Sequence, residues 1–103
     1  MKVQTISLKN GTFEDAAKKL TDNESYIIMS DSVSKQLSNP IKGHINLVLT
    51  NRKESSEHRF SFDSTFRHFT TQEEIKFWLY NQEIVFPKKQ INVYKFEGDS
   101  VKI

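Results

Sequence analysis

Two short runs at the middle of the chain limit the fold most. Residues 26–29 read YIIM and residues 44–50 read HINLVLT. The first is continuously apolar, as expected of a strand covered on both faces, and the second reads as its buried neighbour. Between them DSVSKQL (31–37) spaces Val33 and Leu37 four apart, which fits a short helix, and Asn39-Pro40 ends it. Gly43, one of only three glycines, permits a tight bend into the second strand. Two buried strands joined by a helical crossover are the mark of a parallel βαβ unit.

The flanking residues extend the same pattern. KVQTISL (2–8) is rich in strand formers and stops at Asn10-Gly11, a turn signal. Thr12 and Asp15 then open a helix in which Phe13, Ala16, Ala17 and Leu20 share one face. NRKESSE (51–57) is a polar loop, and HRFSFDSTFRHF (58–69) alternates as a hairpin or two short strands. Thr71 and Glu74 form a capping box for a helix over 72–82. Ile75, Trp78 and Leu79 line one face of that helix. Phe77 and Tyr80 broaden it, so its nearly continuous apolar cover predicts burial on more than one side. INVYKF (91–96) is a further strand, and EGD can turn it into SVKI, a closing antiparallel edge strand. The expected fold is a single α/β domain over 1–103, with a mostly parallel sheet and helices on its faces.

Bulk properties remove several function classes. At 103 residues the chain can bury a modest core, and eight Phe, three Tyr and one Trp offset a hydrophobic content of 36%. There is no cysteine, so no disulfide, thiolate nucleophile or Cys-based zinc site is possible. Residues 1–20 have no apolar core or cleavage pattern of a signal peptide, and no apolar run approaches a membrane span. The expected location is the cytoplasm. Fifteen basic residues against thirteen acidic ones leave a formal charge of +2, which does not call for a polyanionic partner. No Walker A loop, G-x-G-x-x-G or G-x-S-x-G elbow is present. His44, His58 and His68 lack metal-ligand spacing and read as ordinary surface histidines.

Residues 26–52, YIIMSDSVSKQLSNPIKGHINLVLTNR, resemble the central segment of dihydrofolate reductase. That family has a strand ending Ile-Met-Gly, a short helix, and then Pro-Leu-Pro-Gly-Arg-x-Asn-Ile-Val-Leu-Ser/Thr. Here Ile28-Met29-Ser30 and the run from Pro40 to Thr50 stand at those places, without a gap between them. FEDAAKKL, HFTTQEEIKFWL and INVYKF continue the likeness more weakly, so that it covers about two-thirds of the chain. The resemblance implies a truncated reductase-like fold, with NADPH as the cofactor and a pterin as the substrate. Glu14 or Asp15 would stand near the family's substrate-binding acid, and Thr50, Asn51 and Arg52 would face the adenosine side of the cofactor.

The departures argue against that activity. The Gly-Arg that helps hold phosphate is Ser30-Asp31 here, and an acid there repels phosphate. The Arg that pairs with the folate tail is His44, mostly neutral at pH 7. The glycine pair after the later strand is Lys95-Phe96, whose side chains would obstruct a pyrophosphate. Glu14 and Asp15 are also ordinary acids for a helix N-terminus, and this is the favoured reading.

Three functions follow in order of preference. The first is a non-catalytic binding protein that contacts another protein, with no cofactor or metal. A phage-encoded accessory or host-directed inhibitor would suit so short and cut-down a chain. Its expected contact surface is Arg59, Phe62, Phe66, Arg67 and His68, with a sheet edge left open for strand addition or for a homodimer. The second is a minimal nicotinamide- and pterin-dependent reductase. The third is a single-stranded nucleic-acid binder that stacks bases on the Phe/Arg segment. For that segment, a core role for the Phe residues with Arg and His toward water is the favoured reading.

Overall fold

The computed structural model describes residues 2–8, 11–20, 25–37, 39–50 and 66–103. In chain order these form β1 (Lys2–Ile6), α1 (Phe13–Lys18), β2 (Tyr26–Ser30), α2 (Asp31–Gln36), β3 (Ile45–Leu49), β4 (Phe66–Phe69), α3 (Gln72–Val85) and β5 (Asn92–Phe96). The strands make one five-stranded sheet in the order β1-β5-β2-β3-β4. Every neighbouring pair is parallel, so the expected α/β class holds and the sheet is wholly parallel among the described residues.

The apolar runs explain the centre of this sheet. All five β2 residues are buried. Tyr26 to Ser30 pair in register with Ile45 to Leu49 of β3. Alternation along each strand divides the core into two layers. Ile27, Met29, Val48, Phe66 and Phe96 point to one side, where Ala16 and Ala17 of α1 and Val33 of α2 pack on them. Tyr26, Ile28, Leu47 and Val93 point to the other, under Ile75 and Leu79 of α3. The chain moves in one direction across the sheet through α1 and α2, then returns through α3. Crossovers of one hand place the returning helix on the opposite face.

Local capping fixes where the helices begin. Thr12 Oγ1 accepts from the Asp15 N–H at 3.1 Å, Ser30 Oγ from the Val33 N–H at 3.2 Å and Thr71 Oγ1 from the Glu74 N–H at 3.1 Å. The bend before β3 is a turn over residues 41–44, closed by the His44 N–H on the Ile41 carbonyl at 3.4 Å. Gly43 has φ +82°, as the third position of a type II turn requires. Asn46, fully buried in β3, ties this turn from inside. Its Oδ1 accepts from the Ile41 N–H at 3.0 Å, and its Nδ2 donates to the Ile41 and His44 carbonyls at 3.1 Å each.

Two expectations change. Residues 97–103 form no closing strand. β5 lies between β1 and β2, so both its edges are already paired, and the chain leaving it has no edge to join. It turns at Gly98 (φ +78°) instead and crosses the α3 side. There Val101 is buried, and the Lys102 N–H donates to Gln72 Oε1 at 2.5 Å. The 58–69 segment, expected as a hairpin or two short strands, contributes the short strand β4 at its end, parallel to β3; residues 58–65 lie outside the described residues. The second change is that α3 is buried on one side only. Phe77 and Tyr80 are 67% and 59% exposed, because the helix lies on the sheet as an outer layer. No helix among the described residues is long and apolar enough to cross a membrane.

Candidate functional site

A parallel sheet with helices on both faces offers its natural crevice at the carboxyl ends of the strands, where neighbouring connections leave in opposite directions. Here that place is at β5. The chain leaves β1 and β2 toward α1 and α2, and leaves β5 toward the α3 side. A cleft of about 400 Å³ opens there, lined by residues that include Leu8, Phe13, Ser30, Gln36, Glu97 and Asp99. A second cleft, of about 440 Å³, shares Leu8, Phe13 and Gln36 with it and includes Glu14.

The polar groups at this mouth are engaged with one another. Ser30 N–H, at the start of α2, donates to Asp99 Oδ2 at 2.9 Å. Leu8 N–H donates to Glu97 Oε2 at 3.1 Å, with Ser7 Oγ 3.5 Å from the same oxygen. Backbone N–H groups at such a position are the usual donors to a phosphate. In this chain the tight turn at Gly98 brings two carboxylates onto them. Asp31 is paired with Lys35 at 3.1 Å, along the first turn of α2. Phe96 is buried and meets the Phe13 ring edge-on at 5.1 Å. The cleft is therefore acidic and partly filled by aromatic side chains, features that disfavour a dinucleotide pyrophosphate.

The residues singled out in the sequence are scattered over the fold. Glu14 and Asp15 are in the first turn of α1, Glu14 at the second cleft and Asp15 exposed. Thr50 is 3% exposed, and its N–H donates to the Phe69 carbonyl at 2.8 Å, which makes it a connector of β3 to β4. Asn51, Arg52, Arg59 and Phe62 lie outside the described residues. Phe66 is 3% exposed and belongs to the core, so it cannot stack a base or meet a partner. Its position follows from the parallel register that sets it opposite Asn46 in β3. Arg67 is exposed and lies over the Trp78 ring at 5.5 Å, while His68 is half-buried with its ring 6.5 Å from Phe66. Arg67 and His68 alternate across β4, so they point to opposite sides of the sheet.

One pair has the chemistry of a nucleophile and base. Ser25 Oγ and His44 Nδ1 share a hydrogen bond of 2.5 Å. Ser25 is 1% exposed, however, and lies at the amino ends of β2 and β3, where its carbonyl accepts from the Ile45 N–H at 2.9 Å. A substrate carbonyl cannot reach it, and the pair acts as a clamp between the two strand entrances. Among the described residues no group of three or more His, Cys, Asp or Glu is arranged to hold a metal ion.

The feature that sequence reasoning missed is the outer face of α3. Phe77, Tyr80 and Ile84 recur three and four apart, with exposures of 67%, 59% and 59%. They lie opposite Ile75 and Leu79, which are fully buried. The signal was present as two separate apolar stripes on one helix, at 75/79 and at 77/80/84. No protein-family model, curated protein or solved structure matches this chain, so the reductase resemblance rests on the quoted residues alone.

Proposed function

We propose that this chain is a non-catalytic binding protein that works by contact with another protein chain, through the outer face of α3. The observation that carries the reading is the exposed stripe of Phe77, Tyr80 and Ile84, continued by Val85 and Phe86 at the end of the helix. At roughly 200 Å² per aromatic side chain, Phe77 and Tyr80 alone leave about 250 Å² uncovered. With the three neighbours the patch reaches the size at which exposed apolar surface marks an interaction site. The acidic, internally bonded cleft at the strand ends supports the same reading, since it offers a phosphate no open donors at Leu8 or Ser30. A phage accessory or host-directed inhibitor would act in this way.

Two measurements test the reading together. A photo-cross-linking amino acid in place of Tyr80 should capture a protein chain on irradiation, and Phe77→Glu in the same chain should abolish the adduct. The amide NMR spectrum should stay unchanged on adding NADPH and then folate at millimolar concentration. Shifts grouped at 6–14, 30–36 and 97–100 would put the reductase reading in its place. No protein adduct of any kind would remove the α3 face as the working surface.

A further inference from the structure

We propose that residues 97–103 form a strap that couples the strand-end cleft to the seating of α3, so that loosening one loosens the other. The coupling does not depend on what the outer face of α3 contacts. Only its consequence for that contact rests on the face being the working surface.

The strap is fastened in both places, a few residues apart. In the cleft, Glu97, Gly98, Asp99 and Ser100 form one wall. Asp99 Oδ2 accepts from the Ser30 N–H at 2.9 Å, and its Oδ1 accepts from the Ser100 N–H at 2.8 Å. Ser30 is the N-cap of α2, so Asp99 is tied to the residue where that helix begins. Beyond it, Val101 is 1% exposed and belongs to the core layer of Ile75 and Leu79, against which Ile103 also packs. The Lys102 N–H donates to Gln72 Oε1, in the first turn of α3. α2 and α3 lie on opposite faces of the sheet, and each starts from the carboxyl end of a strand in an all-parallel sheet. The strap therefore joins the starts of two helices across the end of β5.

There is little slack in this connection. It leaves β5, which is paired on both edges, through a tight turn closed by the Asp99 N–H on the Phe96 carbonyl at 3.2 Å. Gly98 holds the third position of that turn with φ +78°. Three residues span at most about 11 Å from Asp99 to Lys102. Val101 sits between these two fixed points in a close-packed layer, where a displaced side chain pushes on its neighbours. The two states of the device are the strap bonded to Ser30 and the strap released from it. Release frees Val101 and the Gln72 bond together, which loosens the first turn of α3 just ahead of Phe77. Contact is continuous along the whole path, as transmission between separate sites requires.

Hydrogen exchange and urea unfolding of the full chain test the coupling. Asp99→Ala removes the acceptor for the Ser30 N–H and should speed exchange of the Ile75, Lys76 and Phe77 amides about threefold to tenfold, the scale set by one lost hydrogen bond. Gln72→Ala removes the acceptor for the Lys102 N–H and should speed the Ser30 amide by a similar factor. Gln72 is half-buried at the helix start, so this variant keeps the fold. Gln72→Glu retains an acceptor oxygen and should leave Ser30 near its wild-type rate. The Ala16 and Ala17 amides of α1, away from the strap, should not change in any variant. In urea, the chain carrying both alanines should unfold about as readily as the weaker single variant, because releasing either end already frees the other. Effects of Asp99→Ala confined to 30–36 and 97–100, with those of Gln72→Ala confined to 71–76 and 101–103, would overturn the proposal. So would unfolding constants of the two variants that multiply as independent factors. Neither readout uses a partner of α3, so failure of the Tyr80 cross-link would leave the coupling standing.

Discussion

Replacing Asn46 with alanine removes a small buried network whose cost can be worked out bond by bond. Asn46 is fully buried, accepts from the Ile41 N–H and donates to the Ile41 and His44 carbonyls. Alanine leaves the Ile41 N–H, in a residue only 8% exposed, without that acceptor. An orphaned buried donor costs about 1–3 kcal/mol, and each further lost hydrogen bond about 0.5–1.5 kcal/mol. The Ile41 carbonyl still receives the His44 N–H, and the half-buried His44 carbonyl is nearer to water, so these two losses fall at the low end. The sum is about 3 kcal/mol, a large part of the ~5–15 kcal/mol that holds a domain of this size. The Tm should fall by roughly 12–24 °C. Urea unfolding, followed by the fluorescence of the single Trp78, should show a lower midpoint with an unchanged slope. Asn46→Leu keeps the branched shape but not the bonds, and should lose about as much. Asn46→Asp keeps the acceptor for Ile41 N–H but sets a carboxylate against two carbonyl oxygens, and should be no better than alanine. A loss below about 1 kcal/mol for Asn46→Ala, or full rescue by leucine, would refute the claim that the network holds the turn to the strand.

Three further outcomes are expected. Thr71→Ala removes the acceptor for the Glu74 N–H and should cost about 1 kcal/mol in chemical denaturation, with Thr71→Ser close to wild type. Gly43→Ala should cost about 1–2 kcal/mol through backbone strain alone, since a Cβ there meets nothing within 4 Å at φ +82°; Gly43→Asn should cost less in the same assay. Val101→Asp places a carboxylate among Tyr26, Ile28 and Leu79 and should cost more than about 3 kcal/mol, read as a drop in Tm and as faster amide exchange along α3.

Sequence alone determined the elements whose signals are local. β2 and β3 were legible because their burial on two faces writes continuous apolar runs, and Gly43 because only a positive φ makes the turn before β3. Thr12 and Thr71 were legible because a cap is a contact between residues three apart. Of the candidate site, the chain could only report which side chains were present: Asp31 and Lys95-Phe96 in place of phosphate contacts. Tertiary structure decided the rest, because strand order depends on contacts between residues far apart in the chain. The insertion of β5 between β1 and β2 closed both its edges and turned the expected last strand into a packed tail. The turn after β5 carried Glu97 and Asp99 back onto Leu8 and Ser30, a meeting that no spacing encodes. The two apolar stripes of α3 have the same helical period, and only the sheet beneath Ile75 and Leu79 decided which stripe was buried and which faced outward.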